Sequence, residues 1–490
     1  MSTDSNDSIT PDEKLVSVNR FTGSSILLFF DQLLVAIGNW IYWLVISKIS
    51  STIEIGQATT IFSLALLVTT ITQLGLEYPL LKRSSTHQHQ ILGTALVIEV
   101  AITMASIPLV IYVINNVYQE QLQQYTWIAV GMIIFSSIGF VARFALLGVS
   151  DVKRVLIIDI VGAGVKFAAG YALVSTGLGV FGVVMSILLN ILFVTCAGLF
   201  VVSKRFRFSL GNLGYVKEII RDALANMPSK LSRILIFSLS IVLLASLGIS
   251  NSDIGIFYLA LMISVVMGGL TSSMAFMIIP PSSRSKTDLS SSSLRIGLSF
   301  TAPLIAALIV APKAILSLIG PQYMPAEVIL LVLSASILPS AITINTVSKF
   351  NNLDKPRKLI SIGSLEILSF LVAFFFLVPH YGTLGAAFST LIAFINSSIL
   401  SLIWSERIAM RYVGVSIIGI LAGMLAGWIA GSLVFGSSHP FAQILVAIGA
   451  TLAVVIALKN TSTDEIGEMI KSIVNIRYGS SSNIRSNVEH

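Results

Sequence analysis

Residues 151–202 read DVKRVLIIDIVGAGVKFAAGYALVSTGLGVFGVVMSILLNILFVTCAGLFVV. A short basic start is followed by two almost uninterrupted apolar runs, 155–175 and 178–202, which only a brief turn separates. An α-helix needs about 20 predominantly apolar residues to cross the hydrocarbon layer of a bilayer, and each run is long enough. This stretch therefore predicts a hairpin of two membrane-spanning helices.

The same composition extends over the whole chain of 490 residues. Hydrophobic residues make up 55% of it and charged residues only 11%, with a mean hydropathy of +0.91. Soluble proteins are about a quarter charged, so a soluble multidomain enzyme and a nucleic-acid-binding scaffold are excluded. We predict an all-α polytopic membrane protein with about fourteen transmembrane helices, at 24–47, 57–78, 91–114, 126–148, 155–175, 178–202, 226–248, 254–279, 294–318, 326–348, 359–379, 382–404, 412–435 and 440–458.

The basic residues predict the orientation of these spans. If the N-terminus lies inside, the cytoplasmic loops and tails hold 24 of the 30 Lys and Arg residues, and the outer loops hold only Lys48 and Lys313. Cytoplasmic loops of membrane proteins carry such an excess. We therefore expect a multi-pass protein of the cytoplasmic membrane with both termini in the cytoplasm.

An internal repeat organises the chain. DVKRVLI at 151–157 recurs as DKPRKLI at 354–360, GVFG at 179–182 as GTLG at 382–385, and EIG at 54–56 as DIG at 253–255. Each copy would hold six spans, so both enter from the same side, as in parallel repeats of secondary transporters. The predicted segments are an N-terminal tail (1–23), a first six-helix lobe (24–203), a cytoplasmic linker (204–225), a second six-helix lobe (226–405), two additional helices (406–460) and a C-terminal tail (461–490).

Four basic residues lie inside predicted spans: Arg143, Lys166, Lys230 and Arg233. Charges at membrane depth cost several kcal/mol unless they face water or a partner, which makes each a functional candidate. A cytoplasm-facing cavity lined by these four would attract a phosphate or pyrophosphate headgroup. Two alternatives stay open: all but Lys166 are close enough to the surface to snorkel, and Lys166 could pair with Asp159, two turns away on the same helix face.

Four acids also lie inside predicted spans: Asp31, Asp159, Glu99 and Glu366. They are the candidates for ion coupling, with Asp31 first among them, since a carboxylate in a partly wet cavity can exchange a proton or a sodium ion. The alternative role of Asp31 is to balance a nearby cation. We expect no catalytic residue, no metal site and no cofactor other than a coupling H⁺ or Na⁺, and no P-loop for ATP is present.

Glycine also recurs every fourth residue at Gly419, Gly423, Gly427 and Gly431. Small residues at this spacing let membrane helices approach closely. We predict that this ridge packs against another helix of the same chain.

Several short motifs resemble one known family. They are SKISSTIEIG at 47–56, LGL at 74–76 followed by Pro79 and Lys82-Arg83, IGPQY at 319–323 followed by Ala326, and YGTLGAA at 381–387. Together they are similar to the polysaccharide (Wzx-like, O-antigen) flippases of the multidrug/oligosaccharidyl-lipid/polysaccharide exporter superfamily. Ile55 and Ile254 stand where that family usually has a tyrosine before the glycine.

The resemblance implies two V-shaped, MATE-like lobes and a flippase without covalent chemistry. Such a protein would move a polyprenyl-phosphate- or pyrophosphate-linked oligosaccharide from the inner to the outer leaflet by alternating access, for polysaccharide or glycan assembly. Its partners would be this substrate, membrane lipids and glycan-assembly proteins, and no nucleic acid. The alternatives are an ion-coupled multidrug exporter of the same superfamily, a membrane-embedded glycosyltransferase or polymerase, and a non-transporting scaffold.

Overall fold

The structure is a computed structural model that describes residues 31, 33–83, 88–149, 151–205, 209, 213–285, 290–353, 355–404, 407–434 and 440–458. Nearly all of these residues are helical, and no strand occurs among them. Their helices are α1 (Leu33–Ile49), α2 (Thr52–Thr72), α3 (Glu77–Arg83), α4 (Gln88–Asn116), α5 (Glu120–Gln123), α6 (Thr126–Gly148), α7 (Val152–Leu173), α8 (Gly179–Arg205), α9 (Leu213–Ser246), α10 (Asn251–Ser285), α11 (Ser290–Val310), α12 (Pro312–Ile319), α13 (Glu327–Asn352), α14 (Pro356–Ile403), α15 (Arg407–Ile429) and α16 (Pro440–Ala457). The predicted N- and C-terminal tails lie outside the described residues.

The protein is a multi-pass membrane protein. Within the described residues, nine stretches are long and apolar enough to cross a membrane, or ten if α11 and α12, bent by 83°, form one span. Two of the nine, Val152–Arg205 and Pro356–Ile403, are 54 and 48 residues long, and each covers two of the predicted spans. The total of fourteen stays a prediction.

The internal repeat is visible in the backbone of these two long stretches. Gly179 has φ 44° and ψ −122°, and Gly382, the equivalent residue in the second copy, has φ 55° and ψ −132°. Glycine adopts positive φ readily because it has no Cβ, and here it allows the chain to leave one helix and enter the next. The two copies thus break their helices at the same position with nearly the same conformation, as the repeat predicts. The domain boundaries stay predictions.

Among the described residues, helices α1, α2 and α3 of the first half contact α9 or α10 of the second. Within the first half, α2, α4, α6, α7 and α8 pack on one another; within the second half, α9, α10, α11, α13 and α14 do so. Contact between the halves runs mainly from α2 to α9 and α10, while α15 and α16 pack on α11. The helix α2 is therefore central, and 15 of its 21 residues are buried.

The buried apolar side chains are distributed unequally between the two ends of the bundle. We call the end with the α1–α2, α4–α6, α7–α8, α9–α10 and α11–α13 connections the outer end, after the predicted orientation, and the opposite one the inner end. The largest cluster flanks the outer connections and includes both halves, with Ile55, Val183, Phe257 and Phe374 among its members. The inner connections are flanked by smaller clusters, one of which joins Leu76 and Leu80 of the first half to Ile219 and Ala223 of α9. Among the described residues, the largest core that the halves share lies towards the outer end.

The glycine ridge of α15 packs within the chain, as predicted. A Cβ added at Gly423 would lie 2.0 Å from Thr451 Oγ1 of α16, and one at Gly427 would lie 2.9 Å from Val310 of α11. A side chain at either position would force the helices apart.

Gly423→Ala should therefore lower the stability of the protein. Overpacking of a tight contact costs typically about 1–3 kcal/mol, and we expect a lower melting temperature in detergent. Gly449→Ala on α16 is the matched control, since a Cβ there meets nothing within 4 Å. An equal loss in both variants would contradict the role of the ridge.

Candidate functional site

The candidate site forms where α1 lies along α7. On α1, Gly38, Asn39 and Tyr42 share one helix face with Asp31, because they are seven, eight and eleven positions beyond it. Ala163 and Gly170 of α7 are their small neighbours: a Cβ on Gly38 would lie 4.0 Å from that of Ala163, and one on Gly170 would lie 2.7 Å from the Tyr42 ring. Small residues thus bring the polar side chains of both helices into contact.

Arg143 of α6 joins two carboxylates at one end of this contact. Its guanidinium donates to Asp31 Oδ2 at 2.7 Å and also to Asp159 Oδ2. The Asp31 side chain is fully buried, and its Oδ1 accepts no hydrogen bond from the described residues. We call this group the Asp31–Arg143–Asp159 triad; one cation faces two acids in it, so a proton or another cation would complete its charge balance.

Lys166 lies further along the same helix face and has different partners. Its Nζ donates to Asn39 Oδ1 and lies 4.6 Å from the centroid of the Tyr42 ring. Tyr42 is fixed in turn by a 2.6 Å hydrogen bond between its hydroxyl and Ser186 Oγ of α8. Lys166 is only 7% exposed, and no carboxylate among the described side chains forms an ion pair with it. The site contains a buried ammonium group held by neutral partners.

An aromatic contact connects this site with the second half of the protein. Trp43 of α1 packs edge-to-face against Tyr42 at 5.3 Å between ring centroids and against Tyr258 of α10 at 4.8 Å. All three rings are almost completely buried. Lys166 therefore lies one aromatic side chain away from the interface between the halves.

The sequence matches one family over more than half of its length. A family model described as "Polysaccharide biosynthesis protein" matches residues 45–328. This chain belongs to the polysaccharide biosynthesis protein family. No curated protein sequence gives a significant match to it.

Solved structures show which fold this family member has. An outward-facing MATE multidrug transporter of the MOP superfamily is 17% identical with a TM-score of 0.56, covering 81% of this chain and 97% of that one. The MATE multidrug transporter DinF-BH is 14% identical with a TM-score of 0.55, covering 84% and 100%. The eukaryotic MATE transporter AtDTX14 is 12% identical with a TM-score of 0.56, covering 82% and 99%. The chain has the MATE-like transporter fold that the resemblance implied.

In this polysaccharide biosynthesis protein, the predicted site residues divide into several groups. Asp31, Arg143 and Asp159 come together. Lys166 does not pair with Asp159: Arg143 of α6 binds that carboxylate, and Lys166 donates to Asn39. Arg143 does not simply snorkel, since its side chain is 25% exposed and bound to both acids. Its predicted contact with phosphate stays a prediction, and its geometry favours a different role.

The other predicted residues lie on other helices. Glu99 of α4 is buried and accepts a 3.3 Å hydrogen bond from Thr72 of α2, and Glu366 is fully buried on α14. Lys230 and Arg233 belong to α9, but their side chains are outside the described part of the structure. Sequence reasoning missed Asn39, Tyr42 and Ser186, whose only signal was the helical spacing of the first two from Asp31.

Proposed function

We propose that this protein is a flippase that moves a lipid-linked oligosaccharide, carried on a polyprenyl phosphate or pyrophosphate, from the inner to the outer leaflet. Membership in a polysaccharide biosynthesis family and the MATE-like transporter fold support transport of a polysaccharide precursor. Transport would follow alternating access between the two halves, and no covalent step is required.

The observation that carries the proposal is the Lys166 ammonium group. A buried charge with only neutral partners is costly, because desolvation is not offset by an opposite charge. A phosphate group of the substrate would supply that charge, and Asn39 and Tyr42 would hold the ammonium towards it. Lys230 and Arg233 are proposed as further phosphate contacts at the predicted inner end, where the lipid would enter.

The Asp31–Arg143–Asp159 triad is proposed as the ion-coupling group. Two carboxylates on one guanidinium favour uptake of one H⁺ or Na⁺, and the two salt bridges leave Arg143 little capacity for a substrate phosphate. Glu99 and Glu366 are secondary coupling candidates. No metal or organic cofactor is proposed.

The cytoplasmic membrane is the proposed location, with both termini in the cytoplasm. The distribution of basic residues between the predicted loops supports this orientation. Lipid-linked precursors would then reach the site from the predicted inner end.

One observation favours a second candidate, an ion-coupled multidrug exporter. The triad carries an excess of negative charge in a buried position, which suits a cationic drug as well as a coupling ion. For such an exporter, Lys166 would be a hindrance, because its positive charge lies on the same helix face and would repel the drug.

The purified protein in liposomes tests both candidates. A polyprenyl-pyrophosphate-linked oligosaccharide placed on one leaflet should become accessible to a membrane-impermeant glycosidase on the other leaflet, and more quickly with an ion gradient. Export of a cationic dye without movement of the oligosaccharide would decide for the multidrug exporter. Product formation from a lipid-linked donor would decide for an enzyme.

A further inference from the structure

Two aromatic rings hold a lysine at the inner end of the second half. Phe350, near the end of α13, and Trp404, directly after α14, pack edge-to-face with 6.0 Å between their ring centroids. The Lys358 ammonium group, in the first turn of α14, lies 4.7 Å from the centroid of Phe350 and 5.1 Å from that of Trp404. Cations are attracted to the faces of such rings. We call Phe350, Lys358 and Trp404 the lysine pocket.

The lysine pocket fixes the ammonium group without neutralising it. Phe350 is buried, whereas Lys358 and Trp404 are half-buried, so part of the lysine stays accessible. Among the described side chains, no carboxylate forms an ion pair with Lys358 or with its exposed neighbours Lys355 and Arg357. Asp354 lies outside the described residues, and even with it the segment 354–358 has three basic residues against one acid. The pocket therefore presents a net positive charge.

The equivalent place in the first copy of the repeat has no such pocket. An offset of 203 residues relates DVKRVLI at 151–157 to DKPRKLI at 354–360. At this offset, aliphatic residues take all three positions of the pocket: Leu147, Val155 and Val201. They belong to an ordinary apolar cluster of the first half. The fold therefore forms at this place without an aromatic pair and without a lysine.

The charges also differ between the two copies. In the first copy, Asp151 binds Arg154 at 3.3 Å and Arg205 at 2.7 Å, which neutralises part of the basic inner end within the chain. Arg357 is the equivalent of Arg154, and no carboxylate of the described residues binds it. The second copy thus has both a fixed ammonium group and basic neighbours that lack a described acidic partner.

We propose that the lysine pocket binds the phosphate group of an anionic phospholipid in the leaflet at the inner end. In the predicted orientation this is the cytoplasmic leaflet, where anionic lipids attract basic residues and where basic pockets between membrane helices bind lipid headgroups. Lys358 donates to the phosphate from the position that the two rings fix, and Lys355 and Arg357 add positive charge beside it. Trp404 lies at the headgroup level, where tryptophan is enriched in membrane proteins. Binding of this phospholipid does not depend on the proposed transport.

Quenching of Trp404 by brominated lipids tests the pocket. The purified protein is placed in phosphatidylcholine bilayers that contain brominated phosphatidylglycerol or brominated phosphatidylcholine. The signal of Trp404 is the part of the tryptophan fluorescence that Trp404→Phe removes. Lys358→Met should lower the preference of this position for phosphatidylglycerol by about fivefold, since each basic residue near the surface contributes about that factor. Lys358→Arg should keep most of the preference, and an equal preference in the unmodified protein and Lys358→Met would overturn the proposal.

Lys204→Met is the matched control for this loss. Lys204 also lies over a ring, 4.0 Å from the centroid of Phe200, but at the inner end of the first half. It removes the same charge from the same end of the protein, and salt screens its effect on the distant Trp404, so the preference should stay within about twofold. Phosphatidylglycerol should also raise the unfolding midpoint of Lys204→Met more than that of Lys358→Met, because a bound ligand stabilises the folded state. Equal losses in the two variants would show a general attraction to basic surfaces and would overturn the pocket.

Competition distinguishes the two lipids that carry this chemistry. Unbrominated phosphatidylglycerol should relieve the quenching of Trp404, and a polyprenyl pyrophosphate should need a comparable amount to do so. Relief by polyprenyl pyrophosphate at a much lower amount would assign the pocket to the carrier of the transported oligosaccharide and would overturn a phospholipid site. A lack of oligosaccharide translocation would refute the proposed flippase and leave the lipid preference of Trp404 unchanged.

Discussion

Replacing Arg143 with methionine is expected to destabilise the protein by about 3–5 kcal/mol, because it leaves two buried carboxylates without their common cation. Asp31 is fully buried and Asp159 nearly so, and Arg143 is bound to both. The measurement is the midpoint of thermal unfolding in detergent, which should fall clearly below that of the unmodified protein.

Arg205→Met is the matched control for this loss. Arg205 also binds an aspartate, Asp151, at 2.7 Å, but its side chain is 41% exposed. Ion pairs near the surface contribute about 0–1 kcal/mol, and Asp151 keeps a second ion pair with Arg154 at 3.3 Å. A similar small loss for Arg143→Met would contradict the description of the triad as a buried charge network.

Neutral partners should restore stability without restoring transport. Combining Arg143→Met with Asp31→Asn and Asp159→Asn removes every charge of the triad, and buried ion pairs are often replaced by neutral groups at little cost. We expect most of the unfolding midpoint to return while ion-driven translocation stays lost. Recovery of gradient-driven transport in this triple variant would show that the triad has no part in coupling.

The fold was largely predictable because hydropathy and repetition are local properties of the sequence. The GVFG and GTLG segments predicted equivalent turns, and both turns have a glycine with positive φ at the same position. The packing of the α15 glycine ridge was predictable for the same reason, because small residues at this spacing indicate which face of a helix packs against another helix. The number of spans was harder to predict from the sequence, because α14 continues through its glycine break and α11 bends sharply into α12.

The candidate site was predictable as a set of residues but not as a set of partners. Spacing correctly placed Asp159 and Lys166 on one face of α7. It could not show that Arg143, from a different helix, binds the Asp159 carboxylate. Nor could it show that the Lys166 ammonium group donates a hydrogen bond to Asn39. Such pairs depend on which helix lies opposite: Arg143 and Asp159 are 16 positions apart but on different helices, and Asn39 and Lys166 are 127 positions apart.

Replacing Lys166 with methionine should lower oligosaccharide translocation about 10- to 100-fold. Charge-assisted hydrogen bonds contribute about 1.5–3 kcal/mol, and each 1.4 kcal/mol corresponds to a factor of ten. Stability should change in the opposite direction or not at all, because the variant removes a buried charge that has only neutral partners. The two readouts are the initial rate of translocation in liposomes and the midpoint of thermal unfolding. If Lys166 had only a structural role, its replacement would lower the translocation rate and the unfolding midpoint together.

Two further variants decide whether charge or shape matters at this position. Lys166→Arg keeps the positive charge and should retain more translocation than Lys166→Met, although the larger guanidinium fits less well beside Tyr42. Lys204→Met is the matched control, since Lys204 also lies over an aromatic ring, 4.0 Å from the centroid of Phe200, but is exposed at the inner end of α8. Its translocation should stay within about twofold of the unmodified rate, because water can solvate an exposed ammonium group and nothing is lost when it is removed. If Lys166→Met transported the oligosaccharide as quickly as Lys204→Met, the buried ammonium group would not be the phosphate contact, and the electrostatic mechanism of the proposed flippase would be wrong.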